Sequence, residues 1–158
     1  MARRGKLTQE DLDFYKSNNI GQALIEVARD YQKSALDAYA KVGHGKLQAS
    51  HQSLLLHLGL EGARMTDLAE RAGVSKQTMG QIIDEVEALG YVERTPAPYD
   101  RRAKIIKFTD KGIDLIKIGT IIGENIQQRY AQYIGPKMVT LLHKILVELR
   151  SNIHKHSS

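Results

Sequence analysis

The stretch "DLAERAGVSKQTMGQIIDEVEALGYVERTPAPYDRRAKIIKFTDKG", residues 67–112, combines two short helical segments, a basic hairpin and the start of a further helix. Gly73 interrupts the first helical pattern, and Ser75 stands where it can cap the second helix. Val74 and Met79 have the spacing of a hydrophobic staple across that cap. The sequence therefore predicts two helices joined by a very short turn.

Each helix of this pair has a distinct start and a distinct polar side. Thr66 is predicted to cap the first helix. The apolar residues of the second helix recur at helical spacing and should face the core: Met79, Ile82, Ile83, Val86 and Leu89. Lys76, Gln77 and Gln81 are left pointing away from that core. The second helix thus presents amides and a lysine on its polar side.

A hairpin follows the second helix. "YVERT" and "KIIKFT" are rich in β-branched and aromatic residues, so they should pair as strands around "PAPYDRRA", with Pro96 and Pro98 stiffening the tip. Thr109 can cap the next helix, and Phe108 and Ile113 repeat the staple spacing. Helix, tight turn, helix and hairpin is the layout of a winged helix-turn-helix, in which the second helix enters the major groove of DNA.

Positive charge is concentrated in the hairpin. The whole chain has a formal net charge of +5, which permits an anionic partner without requiring one. Between residues 94 and 107 the acidic residue Asp100 stands against five basic ones: Arg94, Arg101, Arg102, Lys104 and Lys107. A hairpin charged in this way gains affinity for a phosphate backbone by releasing counterions. The residues of the hairpin predicted to take part in DNA binding are Arg94, Asp100, Arg101, Arg102 and Lys104. A solvated basic loop without a partner is the alternative.

Amphipathic helices flank this central section. One helix is predicted from Ile20 to the glycines Gly43 and Gly45, and a short one follows in "ASHQSLLLHLGL". After the hairpin a helical pattern runs from residue 113 to residue 134, and Pro136 suits the first position of a last helix. The predicted fold class is therefore mainly α with a small β-hairpin wing.

Five residues at the start of the second helix are predicted to contact DNA: Ser75, Lys76, Gln77, Thr78 and Gln81. Lys76 can meet guanine or phosphate, and Gln77 or Gln81 can bond adenine through two hydrogen bonds. Gly80 is unusual on an exposed helical face, where it costs about 1 kcal/mol relative to alanine. It can allow close approach to DNA or be a tolerated weakness, and both interpretations stay open.

The stretch from residue 67 to residue 112 resembles the MarR family of bacterial winged-helix regulators. The resemblance rests on Val74-Ser75 at the turn, a "LxxxGLVER"-like run from Val86 to Arg94, Asp-x-Arg at Asp100 and Arg102, and the strand end Phe108-Thr109. It implies that Arg102 enters the minor groove, oriented by Asp100, with Arg101 as a second contact. Family members commonly have arginine where this chain has Gln81, which implies weaker or more adenine-directed contacts in the major groove.

The resemblance also implies a dimer built from the N-terminal helix and the last two helices. The apolar residues from Ile113 onward agree, because they exceed what a small helix-turn-helix core can bury. An internal helical bundle is the alternative. A twofold dimer would place its recognition helices roughly 34 Å apart and require a pseudo-palindromic site. The predicted protomer is a single domain, with an arm and dimerisation helix in 1–46, the winged helix-turn-helix lobe in 47–109 and C-terminal dimerisation helices in 110–158.

A small phenolic or aromatic effector is also implied by the resemblance. Tyr39, His51 and His57 are the candidates for its pocket, with packing residues as the alternative. No metal or other cofactor is expected, since the histidines lack tight ligand spacing and the chain has no cysteine. The lack of cysteine fits the cytoplasm, and no run reaches the roughly 18 apolar residues of a membrane helix.

The leading hypothesis is a homodimeric, sequence-specific transcription regulator, a repressor whose DNA affinity falls when a small molecule changes the spacing of the recognition helices. One alternative is a constitutive DNA-binding protein without an effector. Another is a protein-interaction module on a winged-helix scaffold. An enzyme is not expected, because the sequence shows no nucleophile-base pair, phosphate loop or metal motif.

Overall fold

The computed structural model describes residues 7–97 and 100–156, and for residues 100–103, 154 and 156 it describes the backbone alone. The chain divides into two compact units, Met1–Ser34 and Ala35–Ser158. Over the described ranges the fold is mainly α with a two-stranded antiparallel hairpin, as the sequence predicts. None of the helices in these ranges is long and apolar enough to cross a lipid bilayer.

The first unit contains α1 (Gln9–Ser17) and the first part of α2 (Ile20–Lys41). The start of α1 is a capping box: the Thr8 hydroxyl accepts a hydrogen bond from the N–H of Asp11, and the Asp11 carboxylate accepts one from the N–H of Thr8, both 3.1 Å. The Thr8 hydroxyl also donates to that carboxylate, and these hydrogen bonds hold the pKa of Asp11 below its usual value. The sequence interpretation missed α1, although Thr8-x-x-Asp11 signals its start.

The second unit holds the end of α2 and the remaining elements. A 3-10 turn (Ala49–His51) leads into α3 (Gln52–Leu55), α4 (Met65–Ala72), α5 (Lys76–Ala88), β1 (Val92–Ala97), β2 (Asp100–Phe108), α6 (Asp110–Ile134) and α7 (Pro136–His156). The predicted end of α2 before Gly43 and the predicted start of α7 at Pro136 are confirmed. Thr109 is confirmed as the cap of α6, since its hydroxyl accepts a hydrogen bond from the N–H of Gly112 at 3.1 Å.

The turn between α4 and α5 forms as predicted. Gly73 ends α4 with φ +65°, in the left-handed region that glycine adopts without strain. The Ser75 hydroxyl then caps α5 by accepting a hydrogen bond from the N–H of Thr78 at 3.0 Å. Two helices joined by a turn this short are the arrangement of a helix-turn-helix.

The start of α4 differs from the prediction. Thr66 does not cap this helix, because α4 begins at Met65 and Arg64 occupies the N-cap position. The reason lies one residue earlier. Ala63 is held to β2 by two backbone hydrogen bonds with Ile106, 3.1 and 2.8 Å long, so the chain leaves the sheet at Arg64 and turns into the helix at once.

The hairpin reaches further toward its tip than "YVERT" and "KIIKFT" indicate. β1 and β2 are paired from Val92 opposite Phe108 to Pro96 opposite Lys104, with an irregularity just after Pro96. Pro96 is accommodated because β1 is the edge strand, where a missing N–H leaves no partner unsatisfied. Pro98, predicted to stiffen the tip, lies outside the described residues.

One main core lies among α3, α4, α5, the hairpin and α6. Its most deeply buried side chains include Leu54, Leu68, Met79, Ile83, Val86, Val92 and Leu115. Three of these belong to the apolar stripe predicted on α5, so the inward orientation of that stripe is confirmed. A smaller cluster joins Ala35 at the end of α2 to Ile122 and Ile126 of α6.

Two helical glycines have opposite surroundings. A Cβ atom on Gly112 would lie 2.0 Å from the carbonyl oxygen of Tyr91, so α6 passes the root of the hairpin only because no side chain is present there. A Cβ atom on Gly80 would lie 3.6 Å from Met65 Sδ, which is an ordinary contact. Gly80 is therefore half-buried beside α4, which corrects the prediction that it lies on an exposed face.

We expect Gly80→Ala to raise the free energy of unfolding by about 0.5–1 kcal/mol, because alanine is the better helix former and its methyl group fits beside Met65. Gly112→Ala, the same chemical change in α6, should lower it by about 3 kcal/mol, because the backbone of Tyr91 must move. Urea unfolding of both variants and the wild-type protein measures the two effects. Loss of stability in Gly80→Ala would contradict the space assigned beside Met65.

Candidate nucleic-acid interface

The first two turns of α5 carry an exposed polar surface. The side chains of Ser75, Lys76, Gln77, Thr78 and Gln81 are all exposed, while the apolar side of the helix is buried. The hydroxyls of Ser75 and Thr78 are hydrogen-bonded to each other at 2.8 Å. The start of a helix attracts anions through its unpaired N–H groups and its dipole. The structure thus gathers the five predicted contact residues of α5 at an end suited to phosphate.

The hairpin adds positive charge beyond α5. Lys104 is exposed on β2, and Lys107 is half-buried nearer the root of the hairpin. The backbone of Asp100, Arg101 and Arg102 lies in β2, so these residues belong to the strand itself. Their side chains lie outside the described residues. Their predicted contacts with DNA therefore stay predictions.

Arg94 is placed differently from the other predicted hairpin cations. Its guanidinium turns toward α5, where Nη2 donates to Asp84 Oδ1 at 2.5 Å and Nη1 donates to Glu87 Oε2. The other oxygen of Glu87 accepts the backbone N–H of Arg94 at 2.9 Å. The Arg94 side chain is only 27% exposed. Two carboxylates of α5 thus compensate the charge of Arg94 in this structure, and its predicted contact with DNA stays a prediction.

Burial and charge act on Arg94 in opposite directions. Partial burial disfavours the charged guanidinium, but the hydrogen bonds and charges of Asp84 and Glu87 outweigh burial and raise the pKa of Arg94 above its usual value. An arginine is protonated at any ordinary pH, so the pairs persist wherever the carboxylates are ionised. The excess positive charge of the hairpin is smaller than the sequence suggests, because Asp84 and Glu87 neutralise the charge of Arg94.

A cavity of about 470 Å³ lies between the segment after α2 and the C-terminal half of α5. Its described walls are formed by Gly45, Lys46, Leu47, Gln48, His51, Glu85, Ala88 and Leu89. His51 is buried, at 1% exposure, and its Nδ1 accepts the N–H of Gln48 at 3.2 Å. Its Nε2 must then carry the proton and donate to Glu85 Oε2 at 2.9 Å. This hydrogen-bond pattern assigns one neutral tautomer and ties α5 to the 3-10 turn.

The three residues predicted to form an effector pocket do not share this cavity. His51 lies on its wall, whereas Tyr39 and His57 are not among the described residues that line it. The half-buried ring of Tyr39 stands edge-on to His44, with ring centroids 6.3 Å apart. His57 is half-buried after α3. Sequence analysis missed Lys46, Leu47, Ala88 and Leu89, because no periodic signal marks a cavity formed by a loop and the far end of a helix.

Known proteins share both the motif and the fold. A sequence model of the MarR family matches residues 47–103. CouR from Rhodococcus jostii RHA1, solved bound to p-coumaroyl-CoA, is 26% identical over 84% of this chain and 92% of its own, with a TM-score of 0.65. The transcriptional repressor CouR on a 23-mer DNA duplex is 25% identical over 92% of this chain and 99% of its own, with a TM-score of 0.70.

A third structure has the same fold at lower sequence similarity. Apo MarR from E. coli is 16% identical over 83% of this chain and 96% of its own, with a TM-score of 0.67. MarR-family transcription regulators are DNA-binding proteins and not enzymes, in agreement with the sequence prediction. The match over residues 47–103 covers α4, the tight turn, α5 and most of the hairpin, which are the elements on which the resemblance rests. Residues 47–103 of this chain therefore match the MarR family of winged-helix transcription regulators, and the chain as a whole is similar in fold to the MarR-type repressor CouR.

Proposed function

We propose that this protein is a homodimeric, sequence-specific DNA-binding repressor that a small molecule releases from its operator. The observation that carries the proposal is the division of α5 into a buried apolar stripe and an exposed N-terminal end with Lys76, Gln77 and Gln81. A helix presented in this way reads base edges in the major groove. The structure of the repressor CouR on a DNA duplex, which covers 92% of this chain, supports a DNA target.

The predicted DNA-binding residues have different proposed roles in contacting DNA. Lys76 contacts guanine or phosphate, and Gln77 and Gln81 read adenine. In the hairpin, Arg102 enters the minor groove and Asp100 orients it. The remaining predicted contacts fix the register of the protein on the phosphate backbone: Ser75, Thr78, Arg101 and Lys104. The proposed location of the protein, with a DNA target, is the cytoplasm.

The dimer is proposed from a stripe of exposed apolar side chains along one side of α7, which contains Met138, Leu141, Leu142, Ile145, Leu149 and Ile153. Val139, on another side of the same helix, is buried, so α7 is already packed along part of its surface. An exposed apolar stripe of this size is typical of an interface, and in the proposed dimer a second copy covers it symmetrically. In this arrangement 47–109 forms the DNA-binding lobe, and 1–46 and 110–158 supply the dimer contacts. The operator is then pseudo-palindromic.

The cavity beside α5 is the proposed effector site. About 470 Å³ is within the usual range for small-molecule sites, and Leu47, Ala88 and Leu89 give it an apolar surface for an aromatic ring. Ala88 and Leu89 stand at the end of α5, so a ligand there contacts the recognition helix directly and can favour one dimer geometry over another. CouR from Rhodococcus jostii RHA1 has been solved with p-coumaroyl-CoA, which supports a phenolic or aromatic effector here.

Two other functions use the same fold. A constitutive DNA-binding protein would keep the exposed end of α5 and make no use of the cavity. A protein-interaction module would use the winged helix without DNA. The exposed lysine on α5 and the basic residues of the hairpin favour DNA over a protein partner, because they match a phosphate backbone.

The wild-type protein should select a pseudo-palindromic duplex from a random-sequence pool, and the logarithm of its affinity should fall steeply with the logarithm of salt concentration. We expect Arg102→Ala to weaken binding about 10-fold, chiefly at AT-rich flanks, because it removes the proposed minor-groove contact. Lys117→Ala, which removes an exposed charge on α6, is the matched control and should change affinity little. Fluorescence anisotropy measures each variant. A flat salt response would favour the protein-interaction module.

We expect Ile145→Glu to convert the dimer into monomers, because it places a charge in the middle of the proposed apolar interface. Thr140→Glu adds the same charge on the other side of α7 and should leave the dimer intact. Sedimentation velocity distinguishes the two species. A monomeric wild-type protein at micromolar concentration, or a dimeric Ile145→Glu variant, would contradict the proposed interface.

A phenolic acid such as 4-hydroxycinnamate, or its coenzyme A thioester, should raise the melting temperature of the wild-type protein and weaken its binding to the selected duplex. Ala88→Trp fills the cavity with an indole ring, so this variant should bind DNA and lose the thermal shift. Differential scanning fluorimetry with a panel of phenolic ligands makes the comparison. If no ligand shifts the melting temperature, the constitutive alternative is favoured.

A further inference from the structure

We propose that Arg94 is a positioning residue for DNA recognition, which fastens the root of the hairpin to the C-terminal half of α5 and thereby sets the hairpin at a fixed angle to the recognition helix. The inference rests on the proposed DNA-binding function and adds to it a residue that does not touch DNA. We call the three groups Asp84, Glu87 and Arg94 the wing clamp.

The wing clamp holds the hairpin at three points. Asp84 and Glu87 are three residues apart, so they lie on the same face of α5. The guanidinium of Arg94 is a rigid planar fork, and its two terminal nitrogens donate to one carboxylate each. The backbone N–H of Arg94 donates to the remaining oxygen of Glu87 at 2.9 Å. The flexible side chain of Arg94 could keep its ion pairs while the strand moved. The hydrogen bond from its backbone N–H restrains the backbone of β1 directly.

The clamp lies further along β1 than the other contacts between this strand and α5. Tyr91 and Val92 are buried where the chain leaves α5, and the N–H of Tyr91 donates to the carbonyl of Val86 at 3.2 Å. These contacts fix the beginning of β1. Arg94 lies further along that strand, opposite Ile106, where Ala63 holds β2. Arg94 therefore attaches β1 to α5 at this level and restrains the direction in which the hairpin projects from the helix.

The direction of the hairpin matters because the hairpin and α5 are proposed to enter different grooves of the DNA. The N-terminal end of α5 is proposed to enter the major groove, and the tip of the hairpin the adjacent minor groove. If the hairpin moved freely, binding would have to order it, and part of the contact energy would be lost in doing so. A preorganised hairpin avoids that loss. The clamp should therefore affect affinity while leaving every DNA-contacting group in place.

Because the clamp contains two carboxylates, the direction in which DNA affinity changes on their removal tests this idea. Removing acidic groups from a DNA-binding protein ordinarily strengthens binding, because it raises the positive charge near the phosphates. If Arg94 were a DNA contact, freeing it from Asp84 and Glu87 would strengthen binding further. A positioning role has the opposite consequence, because the hairpin loses its attachment when the carboxylates are removed.

The experiment compares Asp84→Asn/Glu87→Gln with Glu70→Gln/Glu93→Gln, which makes the same change of net charge at exposed acids outside the clamp. We expect the clamp variant to bind the selected duplex about 10-fold more weakly than the wild-type protein, and the control to bind equally well or more tightly. Partly exposed ion pairs contribute little to folding stability, so both variants should keep melting temperatures close to that of the wild-type protein. Equal or tighter binding by the clamp variant would overturn the proposal.

A charge swap tests the same point without changing net charge. Arg94→Glu alone should lose affinity, and Glu87→Arg should restore more of it than Glu70→Arg, because both second changes restore the net charge but only Glu87→Arg rebuilds the side-chain ion pair, without the backbone hydrogen bond. Failure of the swap to recover any affinity would count against the clamp.

A measurement without DNA separates this proposal from the proposed function. Backbone ¹⁵N relaxation at Lys104 and Ile105 should show greater mobility of the hairpin relative to α5 in the clamp variant than in the control. Unchanged relaxation would overturn the clamp even if the protein binds DNA as proposed. Changed relaxation in a protein that selects no duplex would instead leave the clamp standing as a structural feature and refute the DNA-binding function.

Discussion

The burial of the apolar stripe on α5 is the constraint on which the rest of the structure depends. Met79, Ile83 and Val86 are inaccessible to solvent and belong to the same core as Leu54 and Leu115. Burying each such side chain contributes about 1.5–3 kcal/mol, so the helix has one strongly preferred rotation about its axis. That rotation decides which residues of α5 remain exposed. The direction of its polar end is therefore a consequence of core packing.

The acidic residues of α5 lie in its C-terminal half, where they attach the helix to other parts of the protein, and leave its N-terminal end for the proposed contact with DNA. Glu85 accepts a hydrogen bond from His51, and Asp84 and Glu87 accept hydrogen bonds from Arg94. Three carboxylates that would repel a phosphate backbone are thus engaged with groups of the protein itself. The N-terminal end carries Lys76 and no acidic residue in its first turn. Charge is divided along the helix, with attachment at the C-terminal half and an anion-attracting end at the other.

The hairpin is also continuous with the helices proposed to form the dimer. β2 runs directly into α6 through Thr109, whose N–H donates to the carbonyl of Tyr91 and whose hydroxyl donates to the carbonyl of Gly90. Lys111 adds a hydrogen bond to the carbonyl of Leu89 and lies over the ring of Tyr91. No linker separates the end of α5, the hairpin and α6. A displacement of α6 would therefore act directly on the hairpin and the end of α5, as the proposed control through dimer geometry requires.

Much of the fold was determined by the sequence alone, because its signals are local. Gly73 and Ser75 specify the turn and cap by their own backbone and side-chain preferences, and Thr109 does the same for α6. The spacing of the apolar residues predicted which side of α5 faces the core. The start of α1 was equally readable from its capping box and was overlooked. These features depend on residues within four positions of one another.

Tertiary structure alone decided the features that join distant parts of the chain. The pairing of Arg94 with α5, the bond between His51 and Glu85, and the early start of α4 each require two segments to meet in space. The cavity combines a loop after α2 with the end of α5, and Gly112 is required only because α6 passes the carbonyl of Tyr91. Spacing along the sequence does not encode such distances, because they are set by how helices and strands pack. The helix-turn-helix could thus be predicted from the sequence, whereas the partner of each charged side chain could not.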